Sequence, residues 1–279
     1  MASVAAFVRA LVVGAFFVAF FTGALVLSWA VLPVVQWRAR RLPEVERLRR
    51  CQDVVGHGYR LFHFGMRFMR ALVFAPRETP LDLPAGAFVL VANHPTLIDV
   101  TALLAMNPRM CVVAKPELFR NPAVGRLLRA CGHLEGGSGA SMEGASVMQQ
   151  ALDRLAAGMP VVIFPEGTRS PPREVGAFRR GAFEIALRAK VPVVPVFLSC
   201  DPPTLMKGQR WYRLPKRTAR LVAEQLPTVA PASFEPSSRA LAARVHASLR
   251  QRVEAFNAAH PVVDEVAAEA AGLVEGSHG

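Results

Sequence analysis

Hydrophobic positions are distributed very unevenly along the chain. Residues 10–37 contain no charged side chain, a run of about 28 positions against the roughly 20 that a bilayer-crossing helix requires. Pro33 ends or breaks this helix, leaving about 23 apolar positions before it, enough to cross with some tilt. The apolar core is too long for a cleaved signal peptide, and it leads into Arg38, Arg40 and Arg41, which by the positive-inside rule hold the following domain in the cytoplasm. A re-entrant or interfacial helical hairpin is the second geometry. Over residues 44–74, Val45, Leu48, Val55, Phe62, Met66 and Met69 recur near helical spacing among many arginines. This predicts a basic amphipathic helix at headgroup level, the alternative being an ordinary helix packed on the domain.

Beyond a proline-rich linker the pattern changes. Short apolar runs at 88–92, 110–114, 159–164 and 191–198 read as strands, with 217–223 a further candidate, and the prolines of the fourth suggest an edge or an irregular start. Helical periods at 98–106, 123–131, 146–157 and 237–258, and a helix ending at Lys190, lie between and after them. The alternation predicts an α/β domain with helices flanking a sheet. The expected organisation is a hydrophobic membrane anchor (1–37), an interfacial helix (38–75), an α/β domain (76–260) and a flexible tail (261–279).

Composition sharpens the choice of partner. The chain of 279 residues carries a net charge of +12 and is 52% hydrophobic, with a mean hydropathy of +0.28. A basic chain seeks an anionic partner. Because it is also apolar, that partner is a membrane surface and not nucleic acid. Cys51, Cys111, Cys131 and Cys200 show no CxxC spacing and read as reduced, buried thiols.

Three predicted strands end at charged groups: His94 with Asp99, Lys115 with Glu117, and Glu166 with Arg169. Each alone reads as a structural histidine or a surface ion. In a largely parallel sheet they meet at one edge, where ligands of α/β folds bind. Asp99 can then accept a hydrogen bond from one ring nitrogen of His94 and set the tautomer of the other, the wiring of a general base. Arginine forks onto phosphate and lysine adds a point charge. No third ligand at metal spacing accompanies His94, and there is no Gly-x-Ser-x-Gly elbow.

Four blocks in this order, Asn93-His94-x4-Asp99, Lys115-Pro116-Glu117-Leu118, Phe164-Pro165-Glu166-Gly167-Thr168-Arg169-Ser170 and Val191-Pro192-Val193-Val194-Pro195-Val196, resemble the glycerolipid (lysophospholipid) acyltransferase family. The resemblance implies a mixed, largely parallel α/β sheet on N-terminal membrane-associated helices. It further implies an O-acyltransferase of phospholipid biosynthesis at the inner membrane, facing the cytoplasm. His94 would be the base and Asp99 its partner; Lys115 and Arg169 would bind the acceptor phosphate; Glu166 and Gly167 would shape the acceptor loop and, with Thr168, bind the acceptor. The acceptor would be a lysophospholipid, foremost 1-acyl-sn-glycerol-3-phosphate. The donor would be an acyl-coenzyme A or acyl carrier protein thioester, with no cofactor and no metal, and backbone N–H groups near the helix that follows His94 would receive the oxyanion. Two departures stand out: Pro95-Thr96-Leu97-Ile98 between the histidine and the aspartate, and His133-Leu134-Glu135-Gly136 where an Asp-Arg pair is common. They favour the same chemistry on another lipid acceptor as an alternative; a non-catalytic basic membrane-binding protein is the other.

Overall fold

The computed structural model describes residues 2–74, 80–137, 141–209, 215, 217–234 and 237–261. The expected tail from residue 262 and the first linker residues, 75–79, lie outside them. The sheet contains β1 (Leu72–Phe74), β2 (Val89–Ala92), β3 (Cys111–Ala114), β4 (Leu134–Glu135), β5 (Val161–Ile163), β6 (Val193–Asp201) and β7 (Ala219–Gln225). Their spatial order is β1-β7-β6-β2-β5-β3-β4, and every pairing is parallel except β6 with β7. The mixed, largely parallel sheet is therefore present.

β2 sits in the middle, and all four of its residues are buried, as expected for a strand covered on both faces. Side chains alternate across the sheet. Leu90 joins a layer with Phe62, Met66, Leu103 and Leu104 from α3 (Glu44–Phe68) and α4 (Asp99–Met106). Val89 and Val91 join the opposite layer with Ala151, Phe183 and Val245. Those three come from α7 (Ser141–Ala156), α8 (Gly181–Ala189) and α9 (Ser238–Ala259).

The N-terminal apolar run forms α1 (Ala2–Val26), a π-helical turn (Leu27–Val31) and α2 (Leu32–Arg38) in succession. A turn reverses the chain into α3, and the two helical segments pack antiparallel: Phe16 stacks on Phe62 at a ring-centroid distance of 5.4 Å, and Phe20 meets it tilted at 4.3 Å. Gly65 permits this approach, because a Cβ there would strike the Phe16 ring.

Several sequence expectations need correction. The helix expected over residues 44–74 stops at Phe68, Arg70 adopts φ 51°, and Leu72–Phe74 enters the sheet beside β7. The α/β layer thus begins before residue 76. The α3 side chains expected to face lipid, Leu48, Val55, Phe62 and Met66, are instead buried against the domain, while Leu61, Phe64 and Phe68 are exposed. The packed-helix alternative describes that face. β6 is an interior strand, although Pro192 and Pro195 suggested an edge. Pro195 lies opposite Leu226, one residue beyond the end of β7, and its carbonyl accepts from Leu226 N, so the single reciprocal bond that its missing N–H forgoes falls at the end of the β6–β7 ladder. A short helix, α5 (Pro116–Arg120), occupies the charged stretch after β3 and is followed by α6 (Gly125–Ala130). All four cysteines are buried and free, and burial pushes the Cys111 thiol up to about 11 and that of Cys200 up to about 12.

Gly56 of α3 rests directly on Pro108, just past α4, with no space for a Cβ. Gly56→Val is expected to cost about 1–3 kcal/mol through overpacking and to lower the thermal midpoint by several degrees, measured by calorimetry in detergent. An unchanged midpoint would show that the α3–α4 contact yields freely.

Candidate active site

β2, β5 and β3 are successive neighbours in the sheet, so the segments leaving their carboxyl ends meet on one edge. His94 follows β2 by two residues, and its Nδ1–H donates to Asp99 Oδ2 at 2.7 Å. Asp99 is wholly buried, whereas the His94 side chain keeps 19% exposure. The Asp99 carboxylate also accepts from Thr96 N at 2.7 Å and from Thr96 Oγ1. Its place in the first turn of α4 adds the favourable end of the helix dipole. With Nδ1 committed to Asp99, His94 carries its lone pair on Nε2. The ring is held flat against Phe164, centroids 4.3 Å apart.

The segment after β5 is bonded to the histidine itself. His94 N donates to Ser170 Oγ at 2.9 Å, and Ser170 N donates to His94 O at 2.8 Å. Ser170 Oγ donates in turn to Glu166 Oε1 at 2.6 Å, and Gly176 N donates to Glu166 Oε2 at 2.9 Å. Asn93 supports the other side, exchanging two side-chain hydrogen bonds of 2.8 Å with the backbone of Leu198 on β6. The backbone of the 93–94 step is thus fixed from both neighbouring strands.

Not every residue expected at the site faces outward. Glu166 is buried and both its oxygens are occupied within its own loop, which turns it away from a substrate. Gly167 and Thr168 are exposed at the tip of the loop. Arg169 commits Nη1 to the carbonyls of Leu205 and Met206, at 3.3 and 3.1 Å, which leaves Nε and Nη2 for a ligand. Lys115 is exposed at the end of β3, two strands from His94 and so about 10 Å away across the sheet. Of the backbone N–H groups between His94 and α4, those of residues 96–98 are engaged. Thr96 N bonds to Asp99, Leu97 N to Leu205 O and Ile98 N to Thr96 Oγ1, while Pro95 has none.

The departure at 133–136 has a structural reading. His133 is buried, its Nδ1 accepts from Val112 N at 3.1 Å, and burial pulls its pKa down to about 4. It holds β3 in place as a neutral ring, and β4 ends on exposed Glu135.

Three contributors were not singled out from sequence. Thr96 stood only as a departure, yet it supplies two of the three donors to Asp99. Ser170 closed a quoted motif without a role. Arg179 belongs to the basic pair before α8; its guanidinium lies against Gly167, where a Cβ would come within 3.0 Å of Cζ.

The sequence model of the acyltransferase family matches residues 77–199. A 1-acyl-sn-glycerol-3-phosphate acyltransferase of Chlamydomonas reinhardtii is 31% identical over 53% of this chain and 44% of its own length. The corresponding alpha enzyme of Bos taurus is 29% identical over 84% of this chain and 78% of its own. The crystal structure of PlsC, the 1-acyl-sn-glycerophosphate acyltransferase of Thermotoga maritima, superposes with a TM-score of 0.65 over 92% of this chain and 98% of that one, at 23% identity. The match to the algal protein therefore spans less than half of that relative.

Thr96→Val keeps the shape and removes one donor from the buried carboxylate. Nitrogen NMR of His94 is expected to show one Nδ1-protonated tautomer in the parent chain and a mixture in the variant. Identical spectra would mean that Thr96 Oγ1 has no part in holding Asp99.

Proposed function

We propose that this chain, whose residues 77–199 match the acyltransferase family, moves a fatty acyl group from a thioester to the free hydroxyl of a lysophospholipid, foremost 1-acyl-sn-glycerol-3-phosphate, giving phosphatidic acid. The observation that carries this reading is the His94–Asp99 pair: a buried carboxylate fixes the tautomer, and the opposite nitrogen is left as a base at the sheet edge.

The step needs no acyl-enzyme. His94 Nε2 takes the proton of the acceptor hydroxyl while that oxygen bonds to the thioester carbonyl carbon. The C–S bond then breaks, and the imidazolium returns the proton to the departing thiolate. General-base help of this kind contributes ~10²- to 10⁴-fold. With the N–H groups of residues 96–98 and of Gly167 already engaged, the backbone N–H groups of Thr168 and Arg169 in the neighbouring turn are a source of oxyanion donors. The remaining donors of Arg169, with Arg179 over Gly167 and Lys115 further along the edge, supply positive charge for the acceptor phosphate. Ser170 and Glu166 act by positioning the histidine. The donor enters as a co-substrate, acyl-coenzyme A or acyl carrier protein, and the basic surface suits either acidic carrier.

Membrane association follows from the helical hairpin. Val18, Phe21, Leu25, Trp29 and Trp37 on one arm, and Leu61, Phe64 and Phe68 on the other, are exposed, a patch that water does not favour. Residues Leu11–Arg38 also have the length and hydropathy of a span. Because this arm packs along α3 and against the domain, the hairpin is read as lying within one leaflet. Arg38, Arg40 and Arg41 at its turn support attachment to the cytoplasmic face of the inner membrane. A second reading, another lipid acceptor, is favoured by one observation: β4 ends on an exposed carboxylate, Glu135, where an Asp-Arg pair was expected.

The test is mass-spectrometric detection of acyl transfer by purified protein in lipid nanodiscs, offered 1-acyl-glycerol-3-phosphate and a panel of other lysolipids with both thioesters. Phosphatidic acid is expected from the parent chain, with a loss of ~10²-fold or more in His94→Ala. Product from a different lysolipid alone would select the second reading, and undiminished turnover in His94→Ala would remove the base. Ser170→Ala is expected to lower kcat by about 10- to 100-fold with little change in acceptor KM, as small misplacement of a base does. A rise in KM alone would make Ser170 a substrate ligand.

A further inference from the structure

The second half of the N-terminal helix meets the domain far along the sequence from the His94 loop. In the π-helical turn, Ser28 Oγ donates to Ala123 O at 2.7 Å and Trp29 Nε1 donates to Pro122 O at 3.0 Å. These two bonds dock the turn on the segment leading into α6. A π-helical turn inside an α-helix is costly and is frequent at functional sites. Beside it opens a cleft of about 230 Å³, with Ser28, Leu32 and Gln36 on one wall and Arg126 and Arg129 of α6 on the other.

The two arginines are three positions apart, so they share one face of α6. The Arg126 guanidinium lies 4.2 Å over the Trp29 ring, and that of Arg129 lies 5.6 Å over Phe119. Among the described residues neither forms an ion pair. Stacking fixes the plane of a guanidinium and leaves its N–H edge directed outward, the arrangement that grips a phosphate with two parallel bonds. Trp29 is 56% exposed, and Val26 and Val34 beside it are 51% and 48% exposed, so the cationic cleft borders the apolar face of the hairpin. Tryptophan belongs at the level of lipid headgroups. The pattern repeats at the end of α2, where Arg40 lies 4.5 Å over Trp37.

We propose that this cleft binds the phosphate of an anionic bilayer phospholipid, held by Arg126 and Arg129 with the Gln36 amide, while its acyl chains run along the exposed face of Val26, Trp29 and Val34. The site is separate from the sheet edge that carries His94, and its occupant is a resident lipid. A free phosphate ion has the same headgroup chemistry but no use for the adjoining apolar surface, so the two sources are separable by experiment.

Native mass spectrometry from nanodiscs of phosphatidylcholine with phosphatidylglycerol reads the site without any turnover. The parent chain is expected to retain one phosphatidylglycerol, and 10 mM inorganic phosphate is expected not to displace it. Arg126→Lys with Arg129→Lys keeps the charge but loses the fork, and is expected to lose the retained lipid. The same exchange at Arg239 and Arg244, exposed on α9, is expected to keep it. In a vesicle-binding titration, Arg126→Ala with Arg129→Ala should weaken affinity for phosphatidylglycerol vesicles by about 30-fold, roughly fivefold per arginine. Partition into pure phosphatidylcholine should stay unchanged, which also reports that the fold is intact. Retention by the lysine pair, equal retention of phosphatidylcholine by the parent chain, or displacement by inorganic phosphate would each overturn the proposal.

Discussion

A carboxylate without solvent contact has to be satisfied by donors that the fold supplies, and Asp99 is such a group. Removing one partner from a buried charge costs on the order of 3–5 kcal/mol, so the loop around it has little freedom. All three donors to Asp99 come from the residues just before it: the His94 ring and the amide and hydroxyl of Thr96. The strand end, the tight turn and the start of α4 are therefore one unit built around a single charge. That unit presents the far nitrogen of His94 to the sheet edge.

The neighbouring loop adds a second layer of constraint. One backbone bond, Ser170 N to His94 O, and one from His94 N to the Ser170 hydroxyl extend the contact of the β2 and β5 segments beyond their last paired residues. Glu166 then ties Ser170 to Gly176, so a motif that reads as a row of substrate contacts divides its labour. Its carboxylate and hydroxyl turn inward to hold the backbone, and its glycine, threonine and part of an arginine are left for a ligand. The loop continues to α9, where Arg173 donates to the carbonyls of Asn257 and His260 and Asn257 returns a bond to Arg173 O. α9 lies beyond the region matched by the family, yet it braces the same edge.

The hairpin contributes on both of its sides. Its inward stripe completes the hydrophobic layer over α4, the helix that starts at Asp99, and its outward side exposes large apolar residues from both arms. Under the proposed function, sharing one core between His94 and the exposed face of the hairpin would hold the histidine at a fixed depth relative to a bilayer, and an acceptor that stays in the membrane would reach it without extraction into water.

Strand and helix alternation, the span-length apolar run and the His94–Asp99 spacing were all legible in the chain, because side-chain period and motif spacing are local properties. The strand reading failed at residues 72–74, whose conformation is set by pairing with β7, nearly 150 positions later. The lipid-facing stripe of α3 was misread because an amphipathic period marks an apolar face without saying what covers it. Thr96 looked like a deviation until the fold turned its hydroxyl onto Asp99. Glu166 looked like a ligand until Ser170 and Gly176 closed around it. Local sequence thus determined the elements and the chemistry available at their ends. Only the tertiary structure decided which polar groups are used up inside, since a hydrogen-bond partner is a matter of distance in space.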